Sequence, residues 1–181
     1  MSVAQQLAEA GLGLDHEDLR FQVTPQARIS AGAMVRVHVA EVLGDAAAAV
    51  EQIGSTSVVG LLAKPIIDLA VGLDRDQELE PVRSRLEGSG WIYRGDAGND
   101  GGHVFVLDGR PRHRVAHAHV VQRGGDQWAS YLRLRDLLRH SPTARERYAA
   151  VKLGLIESSA QDRSAYTTGK SAVVLSLLGD E

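Results

Sequence analysis

The sequence predicts an α+β fold, in which helices pack on a small mixed β-sheet and a helical layer ends the chain. Short apolar runs bounded by glycine or proline predict strands in the middle of the 181-residue chain, and longer segments with helical spacing follow them. The chain is 44% hydrophobic and only 4% aromatic, so its core is built mainly from Ala, Val, Leu and Ile. This length fits one domain with a substantial core.

The first half of the chain predicts two helices, two strands and a third helix. The second helix is expected despite its β-branched valines, which weaken helical preference. Residues 1–34 are predicted to form a variable N-terminal segment, and residues 35–181 form the main domain. The predicted elements are a helix at 2–10, a helix at 29–43, strands near 50–53 and 65–72, and a helix near 76–87.

The second half predicts three strands and then three helices. Gly88-Ser89-Gly90 ends the preceding helix, and residues 94–102, rich in Gly, Asp and Asn, predict a mobile loop. The three helices form the C-terminal helical layer. The strands are expected at 91–93, 103–107 and 114–122, and the helices at about 126–140, 142–158 and 162–178.

A turn of small residues between two apolar strands indicates phosphate binding. Gly54 has no Cβ, so it can adopt backbone angles closed to other residues and lets a phosphate approach the main chain. The hydroxyls of Ser55, Thr56 and Ser57 can cap a following helix, and the free amides at a helix start attract anions. We therefore predict a short helix after this turn and phosphate contacts from these four residues.

The strand that follows the turn carries one carboxylate. Pro65 disfavours helix in the residue before it, so the short helix should end near Ala63, and Lys64 adds a positive charge for phosphate. Asp68 interrupts the apolar strand, where a carboxylate is costly unless it lies at a site or has a partner. A divalent metal would be such a partner, because Mg²⁺ is held by one or two carboxylates plus substrate phosphates.

Further segments, taken in order, share a pattern with a known family. They are residues 50–69, Gly90-Trp91-Ile92-Tyr93, 114–121, 134–139, 148–152 and Tyr166-Thr167-Thr168-Gly169-Lys170. This pattern resembles the GrpB family, whose members are similar to the DNA polymerase β-type nucleotidyltransferases, and it spans roughly residues 35–178. The resemblance implies a nucleotidyltransferase-like fold, a divalent metal, and a nucleoside triphosphate whose nucleotidyl group passes to a small acceptor.

The nucleotidyltransferase pattern is met only in part. It places Gly-Ser before two carboxylates on one strand; Gly54-Ser55 and Asp68 match it, whereas Ala70 occupies the second carboxylate position. Alternate strand residues share a face, so Ala70 is expected to leave a gap where a second metal ligand would lie. A two-metal mechanism then needs replacement ligands.

His117 and His119 are the predicted replacement ligands. They lie two residues apart on one predicted strand and therefore on one face, where two imidazoles can converge on one ion. Imidazole suits transition metals better than Mg²⁺, so the predicted cofactor is a divalent metal, either Mg²⁺ or a transition metal. The alternative is that both histidines bind substrate phosphate or hydrogen-bond within a polar cleft.

Glu51 lies on the strand that enters the turn and, by the resemblance, belongs to the same cluster. It is expected to orient Lys64 or a histidine, and the alternative is a solvated charge at a strand edge. The predicted catalytic residues are therefore Asp68, Glu51, His117 and His119.

Four further basic residues are predicted to neutralise phosphate charge. Arg135 and Arg139 lie four residues apart and share one face of a helix, and arginine grips phosphate through two parallel hydrogen bonds. Lys152 and Lys170 come from two other predicted helices. Each of the four, taken alone, can equally be an ordinary surface cation.

Composition restricts the partners. A formal net charge of −3 gives no basic footprint of a general nucleic-acid binder, so nucleic acid is not an expected partner. The absence of cysteine excludes disulfides and thiolate metal ligands. No segment approaches the ~20 apolar residues of a membrane span, and no basic region followed by an apolar run opens the chain, so the cytoplasm is the expected compartment.

Three functions stay open from the sequence alone. The first is an enzyme that binds a nucleoside triphosphate and a metal and transfers a nucleotidyl group to a small acceptor. The second is a metal-dependent enzyme whose His/Asp cluster acts on a small metabolite without a nucleotide, because fold does not fix function. The third is a non-catalytic protein that binds a nucleotide or metabolite.

Overall fold

The structure is a computed structural model, and it describes residues 2–158 except 17, 19, 76 and 97–101. The helices of this part are α1 (Val3–Glu9), α2 (Gln26–Leu43), α3 (Leu79–Gly88), α4 (Asp126–His140) and α5 (Pro142–Ser158). The strands are β1 (Leu14–Asp15), β2 (Gln22–Val23), β3 (Ala49–Ile53), β4 (Leu62–Ala63), β5 (Ile67–Leu73), β6 (Ile92–Asp96), β7 (His103–Arg110) and β8 (His113–Gln122).

The main sheet is mixed. Its strand order is β3-β5-β8-β7-β6, with β1 paired to the start of β8, whereas β2 and β4 form a separate two-stranded sheet. The central pair β5 and β8 is parallel, and β3, β7 and β6 join antiparallel to their neighbours. The predicted α+β fold with a mixed sheet and packed helices is confirmed.

One face of the sheet is covered by α1, α2 and α3 and holds the main hydrophobic core. Ile67, Leu69 and Val71 of β5 point into it and are completely buried, because alternate residues of a strand share a face. Apolar side chains on α1, α2 and α3 complete this cluster, for example Leu7, Val39 and Leu86. Each such residue contributes about 1.5–3 kcal/mol when fully buried, so this face supplies most of the stability.

Helix α4 covers the other face of the sheet, and α5 packs against α4. Trp128 of α4 packs on Ile53, Ala70 and Val121, one from each of the strands β3, β5 and β8. A third apolar cluster joins α4 and α5 to the chain between β3 and β4. These two helices are the described part of the predicted C-terminal layer, and their bounds agree with the prediction. The predicted helix at 162–178 lies outside the described residues, and so does most of the predicted loop at 94–102.

The predicted short helix after Gly54 is wrong. The chain makes only a single 3-10 turn at Ser55–Ser57, with no hydroxyl cap, and then enters β4. The β-branched Val58 and Val59 that follow the turn disfavour a helix. Pairing of β4 with β2 then provides backbone hydrogen bonds that the helix would have made internally.

The N-terminal part of the chain is built into the same core. Leu7 of α1 is completely buried, and α2 begins at Gln26 and runs across the predicted boundary at residue 34. The variability of residues 1–34 among relatives stays a prediction. The sequence gives no periodic signal for β1, β2 or β4, since each contains only two residues.

Candidate metal and phosphate site

The parallel register of β5 and β8 brings together two of the predicted catalytic residues. Asp68 lies opposite His117, and Ala70 lies opposite His119. The Nδ1 of His117 is 3.0 Å from the Oδ1 of Asp68, within hydrogen-bond distance. Each of the two side chains keeps about a quarter of its surface exposed, at 25% and 26%. The pair is therefore ordered and still open to a ligand.

His119 completes a group of three possible metal ligands. One ligand atom each from Asp68, His117 and His119 can be chosen so that all three lie within 4.8 Å of one another. The centroids of the His117 and His119 rings are 6.2 Å apart, and the rings are arranged edge to face. Two imidazoles and one carboxylate form a donor set that suits a divalent transition metal. The residues present thus fit the predicted metal.

Gly54 places the turn directly against the Asp68 carboxylate. Its φ is +71°, in the left-handed region that favours glycine, and a Cβ there would lie 2.7 Å from the Oδ2 of Asp68. Ile53 pairs with Asp68 across the neighbouring strands, which fixes this approach. Any other residue at position 54 would therefore displace the carboxylate or the turn.

The hydroxyls of the turn are buried. Ser55 Oγ accepts a 2.9 Å hydrogen bond from Lys152 Nζ and lies 3.2 Å from the hydroxyl oxygen of Tyr148. Ser57 Oγ donates to the carbonyl of Gly54 at 2.6 Å. The hydroxyl of Thr56 is buried, and no described residue forms a hydrogen bond with it. The turn is thus held by its own backbone and by α5.

Two of the predicted phosphate-binding lysines share one aromatic ring. The Nζ of Lys64 lies 5.7 Å from the centre of the Phe21 ring, and the Nζ of Lys152 lies 5.6 Å from it. Lys152 is 6% exposed and also donates to the carbonyl of Leu62 at 2.9 Å. Lys152 therefore connects α5 to both the turn and β4. Lys170 lies outside the described residues.

Arg135 connects α4 to the strand that leads into the turn. Its Nη1 donates to Glu51 Oε2 at 2.8 Å and to the carbonyl of Gln52 at 3.3 Å, and its Nε donates to Asp136 Oδ1 at 2.7 Å. Burial lowers the pKa of Arg135, but its hydrogen bonds to Asp136 and Glu51 outweigh burial and raise that pKa overall. Glu51 is therefore bonded to an arginine, and its expected orientation of Lys64 or a histidine stays a prediction.

Arg139 holds the turn from the same helix face. Its Nε donates to the carbonyl of Ser57 at 3.1 Å, and its Nη1 lies 4.0 Å from Asp136 Oδ1. Burial and then the charge of Arg135 lower the pKa of Arg139. Arg135 and Arg139 do share one helix face, as predicted, and together they join that face to β3 and the turn.

Position 70 is not a gap. Ala70 is completely buried in the apolar contact between Trp128, Ile53 and Val121. Across the sheet it is flanked by Glu51 on one side and His119 on the other. Apolar packing of α4 thus occupies the place of the second carboxylate, and the need for replacement ligands stays a prediction.

The sequence reasoning assigned no role to two tyrosines that border the site. The Tyr131 ring is 5.5 Å from the His119 ring, and its hydroxyl accepts a 3.1 Å hydrogen bond from Gln127. Tyr148 contacts Ser55 from α5. Each tyrosine lies four residues from a polar partner on the same helix, Gln127 or Lys152, and this spacing places both side chains of a pair on one face. That spacing is the signal by which they could have been found.

Fold and site together define the class of the protein. It is a mixed-sheet α+β protein with a carboxylate and two imidazoles beside a glycine turn. Within the described ranges, no helix combines the length and apolar character needed to cross a bilayer.

The chain belongs to the GrpB family. A statistical model of the family described as GrpB protein matches residues 21–179. The Glutamate-rich protein GrpB of Alkalihalophilus pseudofirmus is 30% identical over 144 residues, covering 77% of this chain and 82% of that protein. A UPF0157 protein of Streptomyces coelicolor is 38% identical over 128 residues, covering 71% of this chain and 66% of that protein. The resemblance to the GrpB family is confirmed.

Solved structures agree on the fold. The crystal structure of conserved protein GrpB from Enterococcus faecalis has a TM-score of 0.74 and 24% identity, and it covers 89% of this chain and 98% of that chain. A chain of the GLD-2/RNP-8 complex has a TM-score of 0.55 and 10% identity, covering 95% of this chain and 62% of that chain. At these identities the likeness concerns the fold alone.

Proposed function

We propose that this chain binds one divalent transition metal at Asp68, His117 and His119, together with the phosphates of a nucleoside triphosphate, and transfers a nucleotidyl group to a small acceptor. The convergence of three ligand atoms within 4.8 Å carries the proposal. A bound ion would supply positive charge to phosphate oxygens.

The surrounding residues support a phosphate next to this cluster. The Gly54 backbone lies against Asp68, so a group bound beside the carboxylate also meets the turn. Arg135 and Arg139 bring positive charge to β3 and to the turn. Direct phosphate contacts from Ser55 or Lys152 require exchange of the hydrogen bond that joins them. Catalysis would consist mainly of positioning and charge stabilisation, as in phosphoryl transfer generally.

The second candidate is a metal-dependent reaction on a small metabolite that contains no nucleotide. The apolar packing around Ala70 favours this candidate, since the two-carboxylate strand of the nucleotidyltransferase pattern is absent. The candidate uses the same three ligands and differs only in the molecule that is bound. The two functions are therefore separated by ligand binding and not by metal binding.

Calorimetry on metal-stripped protein tests the proposal in two steps. Zn²⁺, Mn²⁺ and Mg²⁺ are titrated first, into the natural chain and into the Asp68→Asn variant. Asp45→Asn is the matched control, because the Asp45 side chain is 92% exposed and lies apart from the cluster. We expect saturable binding of one ion, weakened at least about tenfold by Asp68→Asn, which is ~1.4 kcal/mol, and unchanged in the control.

ATP, GTP, CTP and UTP are titrated next, with and without the metal that binds. Metal-dependent binding of a nucleotide supports nucleotidyl transfer. Metal binding without any nucleotide binding rejects that reaction and leaves the second candidate. Absence of metal binding contradicts both candidates.

A further inference from the structure

A buried arginine at the start of α2 has no acidic partner within the ranges that the structure describes. Arg28 is 7% exposed, and its Nη2 donates to Gln22 Oε1 at 2.8 Å. Its Nη1 is buried and has no hydrogen-bond partner among the described residues. Helical side chains lean toward the helix N-terminus, and Gln22 precedes the helix, so the guanidinium lies at the N-terminal end of α2.

Among the described residues, the only charge that shifts the pKa of Arg28 is the positive charge of Arg20. Burial lowers the pKa of Arg28, and the charge of Arg20 lowers it further. No carboxylate of the described residues raises this pKa or forms an ion pair with Arg28. A buried charge without a counter-charge costs several kcal/mol. An anion at this place would offset that cost.

The neighbouring residues supply more unused hydrogen-bonding groups. The Thr24 hydroxyl is buried and meets no hydrogen-bond partner in the described part of the chain, although the Thr24 backbone is fixed by hydrogen bonds to Gly60 and Leu61. Pro25 caps α2 without a side-chain hydrogen bond, and the first turn of this 18-residue helix holds no acidic residue. The Arg28 amide donates to the Pro25 carbonyl at 3.0 Å. The amides before it, those of Gln26 and Ala27, lie where a helix offers no intrahelical partner, and the helix dipole favours a negative charge beside them.

We propose that Arg28, Thr24 and the first amides of α2 bind a small oxyanion of the phosphate type. The site is separate from the metal cluster, and it does not depend on the proposed function. Gln22 is only partly buried and Val23 is 63% exposed, so displacement of the Gln22 side chain admits the anion from the surface.

Binding of inorganic phosphate to the full-length chain tests this site. The protein is kept in EDTA, and its thermal unfolding is followed as phosphate is added, with chloride at equal ionic strength as the reference. We expect a saturable rise in Tm for the natural chain. Arg28→Met should weaken phosphate binding at least about tenfold, as expected for loss of a charged hydrogen bond. Arg36→Met, on the same helix about two turns away, is the control and should respond as the natural chain does.

The thermal stability of the variants is a second, independent test of the proposed anion site. Arg28→Met removes an uncompensated buried charge, so its Tm without phosphate should equal or exceed that of the natural chain. Thr24→Val keeps the side-chain volume and should weaken phosphate binding without unfolding the protein. Asp68→Asn should leave the phosphate response intact, which separates this site from the metal cluster. The proposal would be overturned if the Tm of the natural chain rose with phosphate without saturating. It would also be overturned if Arg28→Met and Thr24→Val responded to phosphate as the natural chain does.

Discussion

The two faces of the central sheet differ in what the same strands present. On one face β5 presents Ile67, Leu69 and Val71 to a core covered by three helices. On the other face the alternate residues of β5 and β8 include Asp68, His117 and His119, which stay partly exposed. The first face supplies stability through apolar burial. The second gives up part of that burial and holds the polar groups that can bind a ligand.

The second face is itself divided. At one level Ala70 lies beneath Trp128 of α4, in a dry contact. One row away on the same strand, Asp68 meets His117 and the glycine turn. A shift of two residues along β5 thus leads from the contact with Trp128 to the pair of Asp68 and His117, and His119, opposite Ala70, lies between the two.

Introducing the missing carboxylate gives the largest expected effect. Ala70→Asp places a charge in the dry contact, and we expect a loss of about 3–5 kcal/mol in the free energy of unfolding, as for other uncompensated buried charges. Denaturant unfolding measures this loss, with Ala70→Ser as the smaller control. A stable Ala70→Asp variant that binds a second metal ion would break the division between the two rows.

Truncation on the core face should reduce stability without changing the site. Leu69→Ala removes a completely buried side chain, and we expect a loss of about 2–5 kcal/mol in the free energy of unfolding. The folded variant should bind metal as the natural chain does. Its neighbour Asp68→Asn is the matched opposite, with a small change in stability and weakened metal binding. Equal effects of both substitutions on metal affinity would show that the two faces are not independent.

Substitution of Arg135, which joins α4 to β3, should have an intermediate effect on the free energy of unfolding. Arg135→Met removes hydrogen bonds to Glu51, Asp136 and the Gln52 carbonyl, and we expect a loss of about 1–3 kcal/mol. A double-mutant cycle with Glu51→Gln measures the coupling, which should be at least about 0.5 kcal/mol for residues in direct contact. Additive effects within error would mean that this ion pair contributes nothing of its own.

The smallest expected effect is a pH dependence from Asp136. The hydrogen bond from Arg135 holds the pKa of Asp136 below its usual range. Its contribution is therefore present above the unfolded pKa of about 3.9 and is lost as the pH falls through the lower folded pKa. Because the side chain is 47% exposed, solvent screening keeps this contribution under about 1 kcal/mol.

Unfolding experiments with Asp136→Asn between about pH 2 and 7 check this sign. The natural chain should be more stable than the variant at neutral pH, and the difference should shrink below about pH 4. A difference that grows as the pH falls would contradict the assigned direction.

Residue patterns predicted much of this architecture because long elements carry repeated signals. The strand with Asp68 and both helices after residue 125 have many residues of one period, so their positions agree with the prediction. The 3-10 turn and β4 were missed, since a two-residue strand forms only when tertiary contacts hold it. Periodicity has no means of reporting such contacts.

In the candidate site too, repeated patterns were predictable from the sequence and tertiary contacts were not. Strand alternation was sufficient to place His117 and His119 on one face, and the parallel register then brought them to Asp68. Residue spacing could not predict the side-chain hydrogen bond between Arg135 and Asp136, because adjacent helix residues do not normally face each other. Apolar packing over Ala70 depends on where α4 crosses the sheet, which a single sequence does not specify.

Titration with Co²⁺, followed by visible absorption, tests the central claim most directly, because the spectrum reports both the number of ions and their ligands. We expect one ion per chain with nitrogen and oxygen ligands, and loss of the signal in each of Asp68→Asn, His117→Gln and His119→Gln. The control His140→Gln, on the exposed end of α4, should bind as the natural chain does. No saturable binding, or a spectrum unchanged by all three substitutions, would contradict the assignment of Asp68, His117 and His119 as a metal site.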